Sequence, residues 1–371
     1  MERGLPDPVT PFPILKDPTR RVCHPVRDRK PYQKRLLPDR SQAVRRAVQV
    51  SFLVLNVWIG IQFYLFVRQY EAFDSQPQWS RPAGVEGWLP IAGLMNLKAA
   101  LTTGAIPLIH PAAMFLVAAF LLMSLLLRKA FCGWLCPVGT ISELLWKTGR
   151  ETFGRNIVLS RWVDIPLRSL KYVLLGLFLW AIITMPAPAI QAFMQSPYGL
   201  IVDVQMLNFF RYLSVTAAIV IGVLALLSVL IRNFWCRYLC PYGALMGLAA
   251  LFSPLWIRRN KDKCIDCGKC AKACPSHLPV DTNVSIHSAE CLGCLECVAV
   301  CPAEGALDLS VLGRRPAGGI RTEPLLLAGA VVLIFLGVVG YAKLTGHWDS
   351  PIPSSLYQQL IPNAGEYSHP R

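Results

Sequence analysis

Twelve of the thirteen cysteines fall into two kinds of run. Residues 264–275 read CIDCGKCAKACP and residues 291–302 read CLGCLECVAVCP, so each follows C-x2-C-x2-C-x3-C-P. That spacing ligates cubane iron–sulfur clusters: three close thiolates wrap one face, and the fourth, set before a proline, reaches the other cluster of the pair. The pattern assigns Cys264, Cys267, Cys270 and Cys301 to one 4Fe-4S cluster, and Cys291, Cys294, Cys297 and Cys274 to a second. Zinc ribbons and disulfide frameworks also use C-x2-C pairs, but two complete runs each closed by Cys-Pro favour iron. Gly268 and Gly293 suit turns that aim backbone N–H groups at cluster sulfurs, although a loop glycine usually marks only a turn.

The other four motif cysteines form a repeat. FCGWLCPVGTI at residues 131–141 and WCRYLCPYGAL at residues 235–245 share the phrase C-x3-C-P, 104 residues apart. If a helix runs through each pair, the i, i+4 spacing puts Cys132 with Cys136, and Cys236 with Cys240, on one face. Pro137 and Pro241 would then end or kink that helix. Four such thiols can hold a metal, an additional cluster or haem, or cycle between dithiol and disulfide. The plainer reading is a packed helix end, since free cysteine is readily buried. Duplication favours function, so Cys132, Cys136, Cys236 and Cys240 are a candidate redox or quinone-linked site.

Five apolar runs must position these motifs: residues 48–67, 106–127, 172–190, 212–231 and 324–341. Each is near the length a helix needs to cross about 30 Å of hydrocarbon. The chain is 54% hydrophobic and 16% charged, with positive mean hydropathy, which marks a membrane protein. With the N-terminus inside, 31 of the 37 Lys and Arg lie on the cytoplasmic side. Topology and anionic lipid therefore account for the net charge of +15 without nucleic acid. The cluster runs then lie in the cytoplasm, where thiols stay reduced.

The expected fold is mainly α and polytopic, with about five transmembrane helices and a small α+β two-cluster domain. The two-helix halves that end in C-x3-C-P form two parallel repeats about an axis along the membrane normal. The expected division is a basic cytoplasmic extension at 1–46, a four-helix membrane domain at 47–257, and the two-cluster domain at 258–312. A fifth helix at 323–342 and a short periplasmic tail at 343–371 follow. The extension has no apolar core behind its methionine and reads as other than a cleavable signal; Cys23 and His24 within it read as incidental.

Weaker candidates surround the motifs. Trp134, Trp146, Trp235 and Tyr238 could stack on a quinone ring or carry electrons, but interfacial anchoring is the ordinary role of such aromatics. Glu143 is either a proton acceptor or a solvated helix residue. The apolar, Pro- and Gly-broken segments 68–105 and 191–211 suit interfacial or re-entrant structure. They could form an outer quinone pocket with His110 and Asp203 as proton acceptors, unless both are satisfied structural groups.

The combination of CGWLCP, CRYLCPYGA, the bacterial-ferredoxin runs and the phrase LMNLKAALTTGAIPL resembles the membrane polyferredoxin family. That family includes NapH of periplasmic nitrate reduction, the membrane part of NosR and, more distantly, the oxidase-assembly protein CcoG. The likeness covers residues 45–312 and is closest to NapH. There is no room for NosR's flavin domain or for CcoG's periplasmic β domain. The resemblance implies a bacterial inner-membrane subunit that links the quinol pool to a respiratory reductase through a ferredoxin or cytochrome partner. CcoG-like copper reduction and NosR-like redox regulation are the alternatives it offers; bound haem or flavin stays open.

Overall fold

The computed structural model describes residues 34, 39–72, 78–311 and 323–369; Cys23 and His24 lie outside them. Helix α1 (Ser41–Glu71) begins ahead of its apolar run, and its polar first turns reach the two-cluster domain. After a 3-10 turn (Ala83–Trp88), α2 (Pro90–Thr103) folds back on α3 (Pro111–Leu127), where Gly93 lets the backbones close: a Cβ there would lie 2.6 Å from the Ala113 carbonyl oxygen.

Helix α4 (Pro137–Phe153) follows the first C-x3-C-P motif, and α5 (Arg161–Thr184) is the next long apolar helix. Short helices α6 (Ala187–Gln195), α7 (Pro197–Leu200) and α8 (Val202–Arg211) cross the end away from the cysteine motifs before α9 (Val215–Leu230) returns to the second motif. Helix α10 (Pro241–Ala249) leads into β1 (Leu255–Arg259). The two-cluster domain adds α11 (Lys269–Ala273), β2 (Ser285–Ile286), α12 (Glu296–Ala299) and β3 (Leu307–Val311). Its antiparallel sheet runs β2-β1-β3, with Ile257 opposite Ile286 and Leu309. Helix α13 (Glu323–Leu344) and α14 (Ser354–Leu360) complete the chain.

Three helices, α1, α5 and α13, are long and apolar enough to cross a bilayer, and α8 with α9 makes a fourth candidate bent by 82°. Exposed apolar side chains line all of them, among them Val54 and Trp58 on α1, Trp180 on α5, Ile219 on α9 and Leu333 on α13. Such surface suits lipid. The remaining expected span, α3, is a 17-residue helix, roughly 26 Å at 1.5 Å per residue. It is cut short by left-handed Gly104 and Pro107 before it, and by left-handed Arg128 after it.

The repeats interlock. Helix α4 of the first packs on α9 of the second, and α10 of the second packs on α3 of the first. Gly149 is what lets α4 approach: a Cβ there would sit 2.0 Å from the Val229 carbonyl oxygen. Gly149→Ala therefore sets side chain against backbone, and a loss of about 1–3 kcal/mol is expected as an earlier thermal unfolding of the detergent-solubilised protein. The tail is part of a second core, where Tyr357, Leu360 and Ile361 pack on Phe63, Phe66, Val67 and Tyr70 of α1.

Candidate iron–sulfur and membrane site

Neither C-x3-C-P motif is a continuous helix. In each, the first cysteine rides on a single π turn, Phe131–Leu135 or Trp235–Leu239, and the second is the N-cap of a new helix with proline at its first position. The prolines thus start helices instead of ending them. Proline lacks only an N–H that would be unsatisfied there anyway, and its fixed φ already suits a first turn. Cys240 Sγ accepts from Gly243 N at 3.2 Å, as an N-cap acceptor does.

All four thiols converge on one apolar cavity of about 430 Å³. Its walls include Phe52, Leu55 and Ile59 of α1 and Phe335, Leu336 and Val339 of α13, and it extends to Trp88 and Trp348. Leu55 and Leu336 are also exposed on the lipid-facing surface. Burial pushes the metal-free Cys132 thiol up to about 12 and Cys136 up to about 11, so neither is a free reactive thiolate.

The ferredoxin cysteines surround two further cavities. Cys274, Cys291, Cys294 and Cys297 line one, and all are buried. Cys264, Cys267, Cys270 and Cys301 line the other, with Cys267 exposed. Each cavity thus draws three cysteines from one run and the fourth from the other. In both runs the residues flanking the second cysteine are left-handed: Asp266 and Gly268 around Cys267, Gly293 and Leu295 around Cys294. Glycine takes that conformation freely, while Asp266 and Leu295 hold it under strain, the kind of strain that persists at ligand sites. Among the described residues no three His, Cys, Asp or Glu converge tightly enough for a single metal ion. Thiolates set around a multi-atom cluster need no such convergence, and an all-cysteine donor set is the one such clusters take.

The buried ferredoxin cavity abuts the membrane domain and shares Pro275, Ser276 and Leu292 with the large one. Gly133 of the first motif meets Leu292 so closely that a Cβ would lie 2.7 Å from its carbonyl oxygen, and Trp134 Nε1 donates to Gly293 O at 3.1 Å. Arg128 donates to Ile286 O at 2.9 Å, and Arg237 to Ser276 O at 2.6 Å. Arg45 spans the seam, bonding Gly133 O at 3.1 Å, Glu143 at 2.6 Å and Glu296 at 3.0 Å. Lys171 pairs with Glu290 at 2.6 Å. These cations had escaped the motif reading. Their signal was position: Arg128 and Arg237 abut or interrupt a motif, and Lys171 borders an apolar run.

The weaker candidates fall into structural roles. His110 and Asp203 are fully buried and do not line the large cavity. Arg81 bonds Asp203 at 2.7 Å and Glu86 at 2.8 Å, while His110 Nδ1 lies 3.1 Å from Glu86 and Nε2 2.8 Å from Gly199 O. Glu143 is a partly buried ion-pair partner and no ready proton acceptor. Burial alone would raise its pKa, but Arg45 and Lys147 prevail and hold it at about 2. Trp134 and Trp146 are enclosed in protein, Tyr238 donates to Asp164 at 2.6 Å, and Trp235 of this set reaches the large cavity.

Fold and site together define a membrane-associated iron–sulfur protein. A 4Fe-4S binding domain matches twice, over residues 109–159 and 213–263, each segment carrying one C-x3-C-P pair, and a 4Fe-4S dicluster domain matches residues 256–302. The chain belongs to the membrane-associated ferredoxin-type family. It is 51% identical over 328 residues to YccM of Escherichia coli (strain K12), which is described provisionally as an electron transport protein; the match covers 88% of this chain and 91% of YccM. It is 29% identical to the regulatory protein NosR of Pseudomonas aeruginosa over 43% of this chain and 22% of NosR. The methylamine utilization ferredoxin-type protein MauN of Paracoccus denitrificans is 28% identical over 40% of this chain and 48% of its own length. No solved structure matches significantly.

Proposed function

We propose that the chain exchanges electrons between a quinone in the large cavity and two 4Fe-4S clusters, linking the quinol pool to a respiratory reductase through a ferredoxin or cytochrome partner. Cys274, Cys291, Cys294 and Cys297 hold the membrane-proximal cluster, and Cys264, Cys267, Cys270 and Cys301 the distal one. When bound, the clusters supply one-electron carriers. The observation that carries the reading is the cavity, apolar and edged by lipid-facing Leu55 and Leu336, with polar groups and thiols where it meets the ferredoxin wall.

The residues have separable tasks. Phe52, Leu55, Phe335 and Leu336 offer an apolar channel to a ring with a long hydrocarbon tail, while Asn233 is a polar group suited to its oxygens. Pro275, Ser276 and Leu292 are the wall toward the proximal cluster. Exposed Cys267 puts the distal cluster where a docking partner can reach it. The excess of cations at the ferredoxin end favours placing that end in the cytoplasm and the α14 end in the periplasm.

Anaerobic titration of the solubilised protein with a reduced quinol analogue tests the proposal. Cluster absorbance should bleach with quinol, and Leu336→Trp should slow that reduction about tenfold, equivalent to ~1.4 kcal/mol, while dithionite still reduces both clusters fully. Clusters that dithionite reduces and quinol leaves oxidised in the unsubstituted protein would sink the quinone reading.

A further inference from the structure

Lys129 carries an inference that the quinone reading does not need. It is 3% exposed, lines the large cavity, and its Nζ makes no hydrogen bond among the described residues. The groups whose charge acts on it are Cys132, Glu290, Cys240 and Cys236. Glu290 is already engaged by Lys171 and Tyr172. The lysine thus presents its charge to the cavity with no counter-ion bonded to it, an arrangement that burial of the residue makes costly. It points to an anion seated among the thiols.

The thiols are arranged for one. Two come from each repeat; α4 packs on α9 and α10 on α3, and both pairs line the same cavity. Cys136 and Cys240 cap helices α4 and α10 at their N-termini, where backbone N–H groups and the helix dipole favour negative charge. Gly139 keeps the first loop closed, since a Cβ there would lie 2.5 Å from the Cys132 carbonyl oxygen. As with the ferredoxin sets, the spacing does not suit a single ion.

We infer that Cys132, Cys136, Cys236 and Cys240 together ligate a third 4Fe-4S cluster, two thiolates from each repeat, with Lys129 compensating its negative charge. The site lies where the large cavity meets the wall of the proximal ferredoxin cluster. Its redox step is the gain and loss of one electron at iron, with no bond made or broken and no proton taken up.

The test is a count of iron and acid-labile sulfide on the full-length protein purified anaerobically in detergent, with EPR of the reduced state. About twelve irons per chain are expected, against about eight for the ferredoxin clusters alone. The double variant Cys136→Ser, Cys240→Ser should lose about four while both ferredoxin signals persist. Lys129→Met should keep the iron and lower the potential of the signal that the double variant loses, because a reduced, more negative cluster is no longer offset by the ammonium. About eight irons in the unsubstituted protein, a 2Fe-2S spectrum, or copper or zinc in place of the extra iron would each overturn the assignment. The iron count of the unsubstituted protein decides the matter even where the variants fail to fold. Quinol need not reduce the clusters for the count to stand, so the two readings fail separately.

Discussion

Cys274→Ser will empty the same cluster as Cys294→Ser, and will leave intact the cluster that Cys264→Ser empties. Sequence order suggests the opposite, because Cys274 stands in the run with Cys264, Cys267 and Cys270. The crossing follows from α11: the short helix from Lys269 to Ala273 carries the chain away from the first cavity, and Cys274 emerges, buried, in the wall of the second. Cys301 makes the reciprocal move after α12. Each single variant should lose about four irons, counted chemically and by EPR spin quantitation. Loss of the proximal cluster should also stop quinol from reducing the distal one, although dithionite still does. If Cys274→Ser and Cys264→Ser silence the same EPR signal, the crossed assignment is wrong.

Much of this was legible in the residues, because cluster ligation fixes cysteine spacing more tightly than packing fixes most side chains. The repeat, the apolar runs and the two ferredoxin cysteine sets could be named beforehand, while for the C-x3-C-P thiols a packed helix end stayed open beside a site. The path of the backbone through C-x3-C-P could not. A Cys-Pro step fits the end of one helix as well as the start of the next, and the choice depends on Arg128 and Asn233 adopting left-handed conformations that non-glycine residues rarely take. The polar candidates away from the motifs were ambiguous for a different reason. His110 and Asp203 have the chemistry of proton acceptors, but Arg81 and Glu86 occupy their bonding capacity, and nothing in local sequence pairs residues so far apart. Where the large cavity lies was equally hidden, since its walls come from α1, α3, α13 and both motifs at once.

Arg45→Ala will separate the ferredoxin from the membrane domain more effectively than any surface substitution. One guanidinium, 3% exposed, holds Glu143 of α4 and Glu296 of α12 and also bonds the Gly133 carbonyl. Removing it leaves two largely buried carboxylates sharing Lys147; breaking a buried pair in this way costs about 3–5 kcal/mol. The expected result is faster amide exchange in α12, with iron lost from the proximal site first. Arg45→Lys should recover only part of the effect, since an ammonium cannot fork across two carboxylates and a carbonyl. Acid should weaken the same seam. Glu143 faces Arg45 and Gln49 from α1 and Lys147 from its own helix, with Glu296 competing for both cations. Its folded pKa is held down to about 2 against the ordinary 4.5, so its contribution is complete above that ordinary value and drains away as pH falls from there toward 2. Protection of the α12 amides, taken relative to intrinsic exchange at each pH, should therefore fall across that window in the native protein. In Glu143→Gln that acid dependence should be smaller, and an unchanged one would place the acid-labile contact elsewhere.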